Sequence, residues 1–405
     1  MRMSNTFLLY SARGVRGFGD GFATIVLPAY LSALGYDPAR IGIVLTASLL
    51  GTALFTLAVG AIAPRHDLRT LMLAGAALMA LTGIAFPSFA HIAFVAFIAF
   101  VGTVNPSTGD LGVLVPLEHA MLAHGVADHE RTHAFARYSL IGALSMAAGT
   151  LAAAAPDFLA AAGIGRLAAF RLMFYAYALL GVAAALIYRQ LPPARAAQAK
   201  PHAPLGPSRG TVYKLAALFS LDAFAGGFIV QSLMALWLFE RFDLSLSAAS
   251  LFFFSAGTLS AFSYPVAARL ARRIGLVNTM VFTHIPSSVF LILAAFASNL
   301  YIALALLLLR AALSQMDVPT RTSYVMAVVT PAERATAASV TAVPRSLASS
   351  VSPTFAGLLL SSAVPGLPLV LCGVLKIAYD LALLFSFRHI KPPEENAKSQ
   401  RREAR

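Results

Sequence analysis

The sequence predicts an all-α polytopic membrane protein with twelve transmembrane helices in two pseudo-symmetric six-helix bundles. Three observations lead there. Apolar residues make up 59% of the 405 and charged residues only 12%, against roughly 25% charged in a soluble domain; mean hydropathy is +0.77. The chain contains twelve mostly apolar runs, each of about 20 residues or more, the length a bilayer demands of a helix. Finally, its two halves match each other at an offset of about 207 residues.

The spans are expected at 7–34, 39–63, 69–89, 91–123, 133–155, 166–189, 212–239, 245–270, 275–297, 299–328, 335–362 and 366–387. The first is too long for a cleavable signal and carries Arg13, Arg16 and Asp20, which leaves no clean apolar h-region. Two stretches are polar, basic and proline-containing: "RQLPPARAAQAKPHAPLGPSRG" and the tail "RHIKPPEENAKSQRREAR". They read as a cytoplasmic linker (189–211) and a disordered tail (388–405). The bundles are then 1–188 and 212–387. A single cysteine, Cys372, excludes an internal disulfide and a thiolate metal cluster.

Lys and Arg set the orientation. Nineteen of them, from Arg2 to Arg405, fall in connections on one side, against Arg40, Arg166, Arg171 and Arg241 on the other. Both termini are therefore expected in the cytoplasm of a bacterial inner-membrane protein. The net charge of +13 is accounted for by anionic lipid headgroups, so membrane lipids are expected partners and nucleic acid is not. Tyr30 and Trp237 fall near the outer interface, where aromatic residues anchor helices.

The repeat shows in three places. "GAIAPRHDLR" (60–69) pairs with "ARLARRIGLV" (268–277), "NPSTGD" ends at Asp110 as "LSQMD" ends at Asp317, and Glu130-Arg131 matches Glu333-Arg334. With these features the chain resembles the major facilitator superfamily of secondary transporters over residues 1–388. The family's loop between spans two and three, G-x-x-x-D-R-x-G-R-R, maps onto Gly60, Arg65 and Arg69; Pro64 stands where the family has the acid, and Asp67 where it has the second glycine. The second copy keeps Arg273 and has Arg272 at the acid's place. The resemblance implies a cytoplasmic latch at these loops, so Arg65, Arg69, Glu130, Arg131, Arg272, Arg273, Glu333 and Arg334 are candidate gating residues. It also implies alternating access around a central cavity lined by spans one, four, seven and ten, in a chain expected to act as a monomer without a cofactor.

Ionisable groups inside a span cost about 2.5–3.5 kcal/mol on insertion scales and are functional candidates by default. Asp20 lies about 20 Å along the first helix, near the bilayer midplane. With no G-x-x-x-x-G-K-S/T phosphate loop in the sequence, a proton gradient is the expected drive. Asp20 is the first choice for the titrating group, with Asp222 and Asp110 beside it. Arg13, Arg16, Asn105, Gln231, Arg310, Asp317 and Arg321 are the substrate-cavity candidates. Arg16 is expected to pair with Asp222 across the halves, or with Asp20 at i,i+4; Asp317 with Arg321, and Lys376 with Asp380, share that spacing. "GTVNPSTGD" in span four suggests a broken helix, where transporters place binding backbone. Export of a small organic solute is the favoured direction, with organic-anion uptake or exchange through the first-span arginines as the alternative.

One motif points elsewhere. His129-Glu130-Arg131-Thr132-His133 reads as H-E-x-x-H, the zinc-binding pattern of metalloproteases. A zinc site needs a third protein ligand. The nearest downstream acid is Asp157, across the bilayer if 133–155 spans, so neither a metal nor an enzyme is expected.

Overall fold

A computed structural model describes residues 4–107, 112–127, 130–195, 204–330 and 333–387. Among these, helices account for nearly all regular structure. In chain order they are α1 (Asn5–Ala33), α2 (Pro38–Ile62), α3 (Leu68–Ala85), α4 (Ile92–Val101), α5 (Leu114–Gly125), α6 (Arg131–Ala152), α7 (Ala155–Ala161) and α8 (Arg166–Tyr188). There follow α9 (Arg209–Gly227), α10 (Gln231–Phe242), α11 (Leu246–Ile274), α12 (Leu276–Phe296), α13 (Leu300–Ser314), α14 (Asp317–Val328), α15 (Arg334–Leu360) and α16 (Leu367–Phe387). Every helix except α7, a short extension after α6, falls on one of the twelve expected stretches. Among the described residues, eight helical segments are individually long and apolar enough to cross a membrane.

Local chemistry starts the helices where the sequence turns polar. Ser4 Oγ accepts from Phe7 N at 3.2 Å, and Asp37, ahead of Pro38 at the first helical position, accepts from Arg40 N at 2.9 Å. Asn299 Oδ1 accepts from Tyr301 N at 2.8 Å at the head of α13. Three expected spans are interrupted: span four between α4 and α5, span seven at 228–230 and span ten at 315–316. Only the first was expected. Backbone freed at such depth must find partners. In span four, Val104 O accepts from the Ser48 hydroxyl and Pro106 O from Ser232 N.

The chain divides into two compact units. Unit 1 comprises Met1–Ala199, Ile229–Ser255 and Pro353–Pro365; unit 2 comprises Lys200–Phe228, Ala256–Ser352 and Gly366–Arg405. In unit 1, Leu9, Ala12, Met72, Leu117, Tyr138 and Tyr188 form a continuous core. A close crossing lies between α1 and α6, where Gly21 faces Gly149 and a Cβ on either would collide with the other helix's backbone. The glycines of the first span therefore serve close packing. Unit 2 centres on Phe219, Met280, Tyr324, Tyr379 and Phe387. Large apolar side chains also point outward, among them Phe97, Leu179 and Phe262, as a lipid-facing surface would require.

Tyr30 and Trp237 are both buried in unit 1. Tyr30 packs edge-on to Phe170 and Phe174 and donates to Phe86 O at 3.3 Å; Trp237 packs edge-on to Phe242.

Candidate functional site

In unit 1 the buried charge converges on Glu118, a fully buried residue of α5. Its carboxylate pairs with the Arg16 guanidinium from α1 and accepts hydrogen bonds from the Tyr138 hydroxyl of α6 and, at 2.5 Å, the Tyr188 hydroxyl of α8. Four helices thus meet at one side chain, as a buried carboxylate requires if it is to stay in an apolar core. Arg13 lies over the Tyr138 ring, 5.3 Å from its centroid, and occupies the space that a Cβ on Gly142 would take. Within unit 1, Arg16 therefore pairs with Glu118 and not with Asp20 at i,i+4.

Asp20 sits one turn further along α1. It accepts one hydrogen bond, from the Tyr177 hydroxyl at 3.3 Å, and that hydroxyl is 3.1 Å from Thr103 Oγ1. Thr103 lies in the break of span four, so the interrupted backbone positions the tyrosine that meets the acid. Beside them lies a cavity of about 20 Å³ bounded by Arg16, Asp20, Thr103, Leu114 and Tyr177, enough for about one water. Asn105 is buried in the same break, where its Oδ1 accepts from Ser107 N at 2.9 Å. Gln231 opens α10 and donates to Thr24 Oγ1 at 2.8 Å. Asp110 lies outside the described residues.

Unit 2 holds a larger network. Asp222 on α9 accepts from Lys376 Nζ of α16 at 2.6 Å and from Arg321 Nη1 of α14 at 2.9 Å. Arg321 also pairs with Asp317, one turn earlier, at 3.2 Å, as its spacing predicts. Lys376 and Asp380 share that spacing but go elsewhere: Lys376 to Asp222, Asp380 to His284 of α12. His284 Nδ1 is 3.1 Å from both Asp380 oxygens, and its Nε2 is 3.3 Å from Lys376 Nζ. Nε2 is also 3.9 Å from Asp222 Oδ1, so the imidazole links Asp380, Lys376 and Asp222. His284, Lys376 and Asp380 lie outside the sequence-derived site, because no local pattern links α12 to α16. Arg310 on α13 has no carboxylate within ion-pair distance among the described residues.

The loop residues do local work. Arg131 donates to Ala123 O at 3.3 Å and Arg334 to Met326 O at 3.2 Å. Each reaches back eight residues to the third residue from the end of the preceding helix, α5 or α14. The matched arginines of the two halves therefore perform the same capping of exposed helix carbonyls. Their neighbours diverge: Glu130 is exposed, whereas Glu333 is buried and accepts from Gly206 N at 2.5 Å, Thr330 Oγ1 at 2.6 Å and Ser208 Oγ at 2.8 Å. These donors, led by Thr330, hold the Glu333 carboxyl down at about 2. Asp67 caps α3 through Thr70 N at 3.1 Å and accepts from Ala194 N at 2.7 Å, and these contacts hold its carboxyl below the usual range against the opposing effect of its partial burial. Arg65, Arg272 and Arg273 are exposed, the latter two in the last turn of α11, where positive charge suits the helix dipole; Arg69 is half-buried.

His129 lies outside the described residues, and no group of three or more possible metal ligands occurs among those described. Asp157 accepts from both the amide and hydroxyl of Ser247, each at 2.8 Å.

Comparison with known proteins fits this architecture. The family model described as Major Facilitator Superfamily matches twice, over residues 9–221 and 215–405. The uncharacterized membrane protein YJR124C of Saccharomyces cerevisiae is 25% identical over 94% of this chain and 93% of its own. Three solved transporters share the fold. A bacterial homolog of the human lysosomal transporter Spinster, inward-facing and occupied, has a TM-score of 0.71 at 16% identity, covering 94% of both chains. The nucleoside transporter NupG has a TM-score of 0.74 at 13% identity, covering 96% of this chain and 100% of that one. A D-xylose-proton symporter has a TM-score of 0.71 at 14% identity, covering 94% and 97%. With the family matched across both halves, the chain belongs to the Major Facilitator Superfamily: it is a multi-pass membrane transporter and not an enzyme.

Proposed function

We propose that this transporter moves a small polar solute by alternating access of two six-helix bundles, 1–188 and 212–387, and couples that movement to protons at Asp20. One observation carries the reading. Of the carboxylates Asp20, Glu118, Asp222, Asp317 and Asp380, only Asp20 has neither a cation nor an imidazole within ion-pair distance among the described residues. A carboxylate met by one tyrosine hydroxyl beside a water-sized cavity has both the freedom and the route to exchange a proton. Asp222, held by two cations, is assigned a structural part. The nineteen-to-four charge bias supports cytoplasmic termini in an inner membrane, and both units come from one chain, so we take the monomer as the transporting unit.

The buried charge favours a polar solute over an amphipathic export substrate, which would call for an apolar cavity with few ionised groups. Direction then follows from the solute. An anion entering a negative interior needs accompanying protons, whereas a neutral or cationic solute leaving the cell would exchange for them. The test is flux into proteoliposomes across a panel of anionic, neutral and cationic solutes, with an imposed pH gradient and again after an ionophore collapses it. A solute whose accumulation follows the gradient supports the reading. Facilitated flux that ignores the gradient overturns the coupling.

A further inference from the structure

Three spans of the second half divide between the two units. Spans seven, eight and eleven change unit at 228/229, 255/256 and 352/353, which leaves Ile229–Ser255 and Pro353–Pro365 packed with the first half. Both segments border connections on the face opposite the termini, seven to eight and eleven to twelve, and so do their partners at the head of α2 and after span five. Where α2 crosses α15, a Cβ on Gly42 would collide with Pro353 O and one on Gly357 with Pro38 O. One turn further along α2, Thr46 Oγ1 accepts from Thr354 N at 3.0 Å and from the Thr354 hydroxyl at 2.8 Å. The head of α10 closes on α1 through Gln231 and through the Ser232 hydroxyl, which donates to Thr24 O at 2.6 Å. Asp157 holds the first turn of α11 at Ser247.

This seam is built to part. Glycine faces meet without interlocking side chains, and hydroxyl or amide hydrogen bonds between membrane helices are individually weak. The ion pairs of unit 1 among the described residues lie elsewhere, at Arg16–Glu118 and Arg40–Asp37. A cavity of about 200 Å³, bounded by Ala29, Ser32, Arg166, Phe239, Asp243 and Leu246, interrupts the packing beside it. The crossing at Gly21 and Gly149 joins two spans of one half, whereas the crossing at Gly42 and Gly357 joins spans of different halves, which alternating access must separate. Both segments also have a place to bend. Span seven is broken at 228–230, and within α15 Pro353 has no N–H for Ser349 O, four residues back. On the other side of each weak point the chain is held within unit 2. There the Ser352 hydroxyl donates to Phe224 O at 2.6 Å, and a Cβ on Gly227 would collide with Ser349 O.

We infer that Ile229–Ser255 and Pro353–Pro365 form the gate on the face opposite the termini, closed in this structure. It opens by bending at 228–230 and at Pro353, and Gly42, Gly357, Thr46 and Thr354 are the positioning residues of its seal. The inference rests on the transporter reading and adds a local step to it: the ends of spans seven, eight and eleven part from spans one and two, while the rest of the second half keeps its own contacts.

Labelling tests it without a known solute. In a Cys372→Ala background the reporter Ser232→Cys occupies a fully buried position, and its reaction with a sulfonated maleimide is timed in the purified full chain in nanodiscs. G357V should raise the labelling rate by about tenfold or more by shifting the population toward the open gate, with G357A between it and the wild type. G210V, at a glycine with nothing within 4 Å, should leave the rate unchanged. A valine that merely strained the α2–α15 crossing would leave the reporter on α10 protected. Should G357V fail to fold by thermal melting, T46V/T354V removes only the hydroxyl contacts and should still speed labelling. In the opposite sense, oxidising T46C/T354C to a disulfide should slow amide exchange across 229–242 by about tenfold, reversibly on reduction, while neither single-cysteine variant responds. A labelling rate unchanged in the folded seal variants overturns the inference. So does a disulfide that fails to form or leaves exchange across 229–242 untouched. If solute exchange in proteoliposomes continues undiminished through the oxidised disulfide, the gate falls and the transport reading stands. If labelling and amide exchange respond as expected while no solute is moved, the transport reading falls and the gate stands.

Discussion

Replacing Glu118 with Gln should be among the most damaging single changes in unit 1, and its size can be worked from the geometry. Glu118 is fully buried and meets three donors: Arg16, Tyr138 and Tyr188. Glutamine keeps the shape but offers one acceptor oxygen and turns an amide N–H₂ toward the other donors. Removing one partner of a buried ion pair leaves the remaining charge unanswered and is worth about 3–5 kcal/mol. Each lost tyrosine hydrogen bond adds only about 0.6 kcal/mol, the average for interhelical bonds in membrane proteins, so the ion pair decides the outcome. The double variant Arg16→Met/Glu118→Leu removes both charges, and apolar replacement of a buried pair is often neutral or stabilising. It should therefore unfold within about 1–2 kcal/mol of the wild type. Equilibrium unfolding of wild type, Arg16→Met, Glu118→Leu and the double variant in mixed micelles, read by far-ultraviolet circular dichroism, gives the four corners of the cycle, with E118Q measured beside them. An E118Q effect below about 1 kcal/mol, or a double variant as unstable as the summed singles, would show that Arg16 and Glu118 are not coupled.

Other outcomes follow from the same contacts. Gly149→Ala places a Cβ against the Phe18 backbone, so it should destabilise by about 1–3 kcal/mol, whereas Gly60→Ala, with nothing within 4 Å, should not; melting curves of both decide. His284→Ala leaves Asp380 and Lys376 without their bridge and should lower Tm more than His284→Asn, whose amide can still donate to Asp380. Because the Glu333 carboxyl is held at about 2, below its ordinary 4.5, its contribution is fully present above about pH 4.5 and is lost as pH falls toward 2. Exchange protection of the Gly206 amide, corrected for intrinsic rate, should therefore stay flat from pH 8 to 5 and drop at every pH in E333Q. A wild-type loss of protection between pH 7 and 5 would contradict that assignment.

The sequence carried the helices further than the site. Hydropathy located the spans because burial in lipid demands about twenty apolar residues whatever the tertiary packing. The break in span four was visible in Pro106 and its polar neighbours. The break at 315–316 was not, since Gln315 and Met316 carry no turn signal. Asp317–Arg321 was legible because the pair lies within one helix, yet the same spacing misled at Lys376 and Asp380, which turn to partners on α9 and α12. The duplicated Glu-Arg loop gave a clear result for one residue of each pair: Arg131 and Arg334 cap their helices identically, while Glu333 alone joined the linker. Glu118 stood in plain sight, but its three donors come from α1, α6 and α8, and only folding brings them together.

The measurement that bears most directly on the central claim compares two fluxes in proteoliposomes containing D20N. Solute exchange at equal pH requires binding and alternating access but no net proton transfer, whereas accumulation against a gradient requires the proton. With Asp20 as the coupling group, D20N keeps exchange near the wild-type rate and loses pH-driven accumulation. Accumulation by D20N equal to the wild type would place the proton elsewhere.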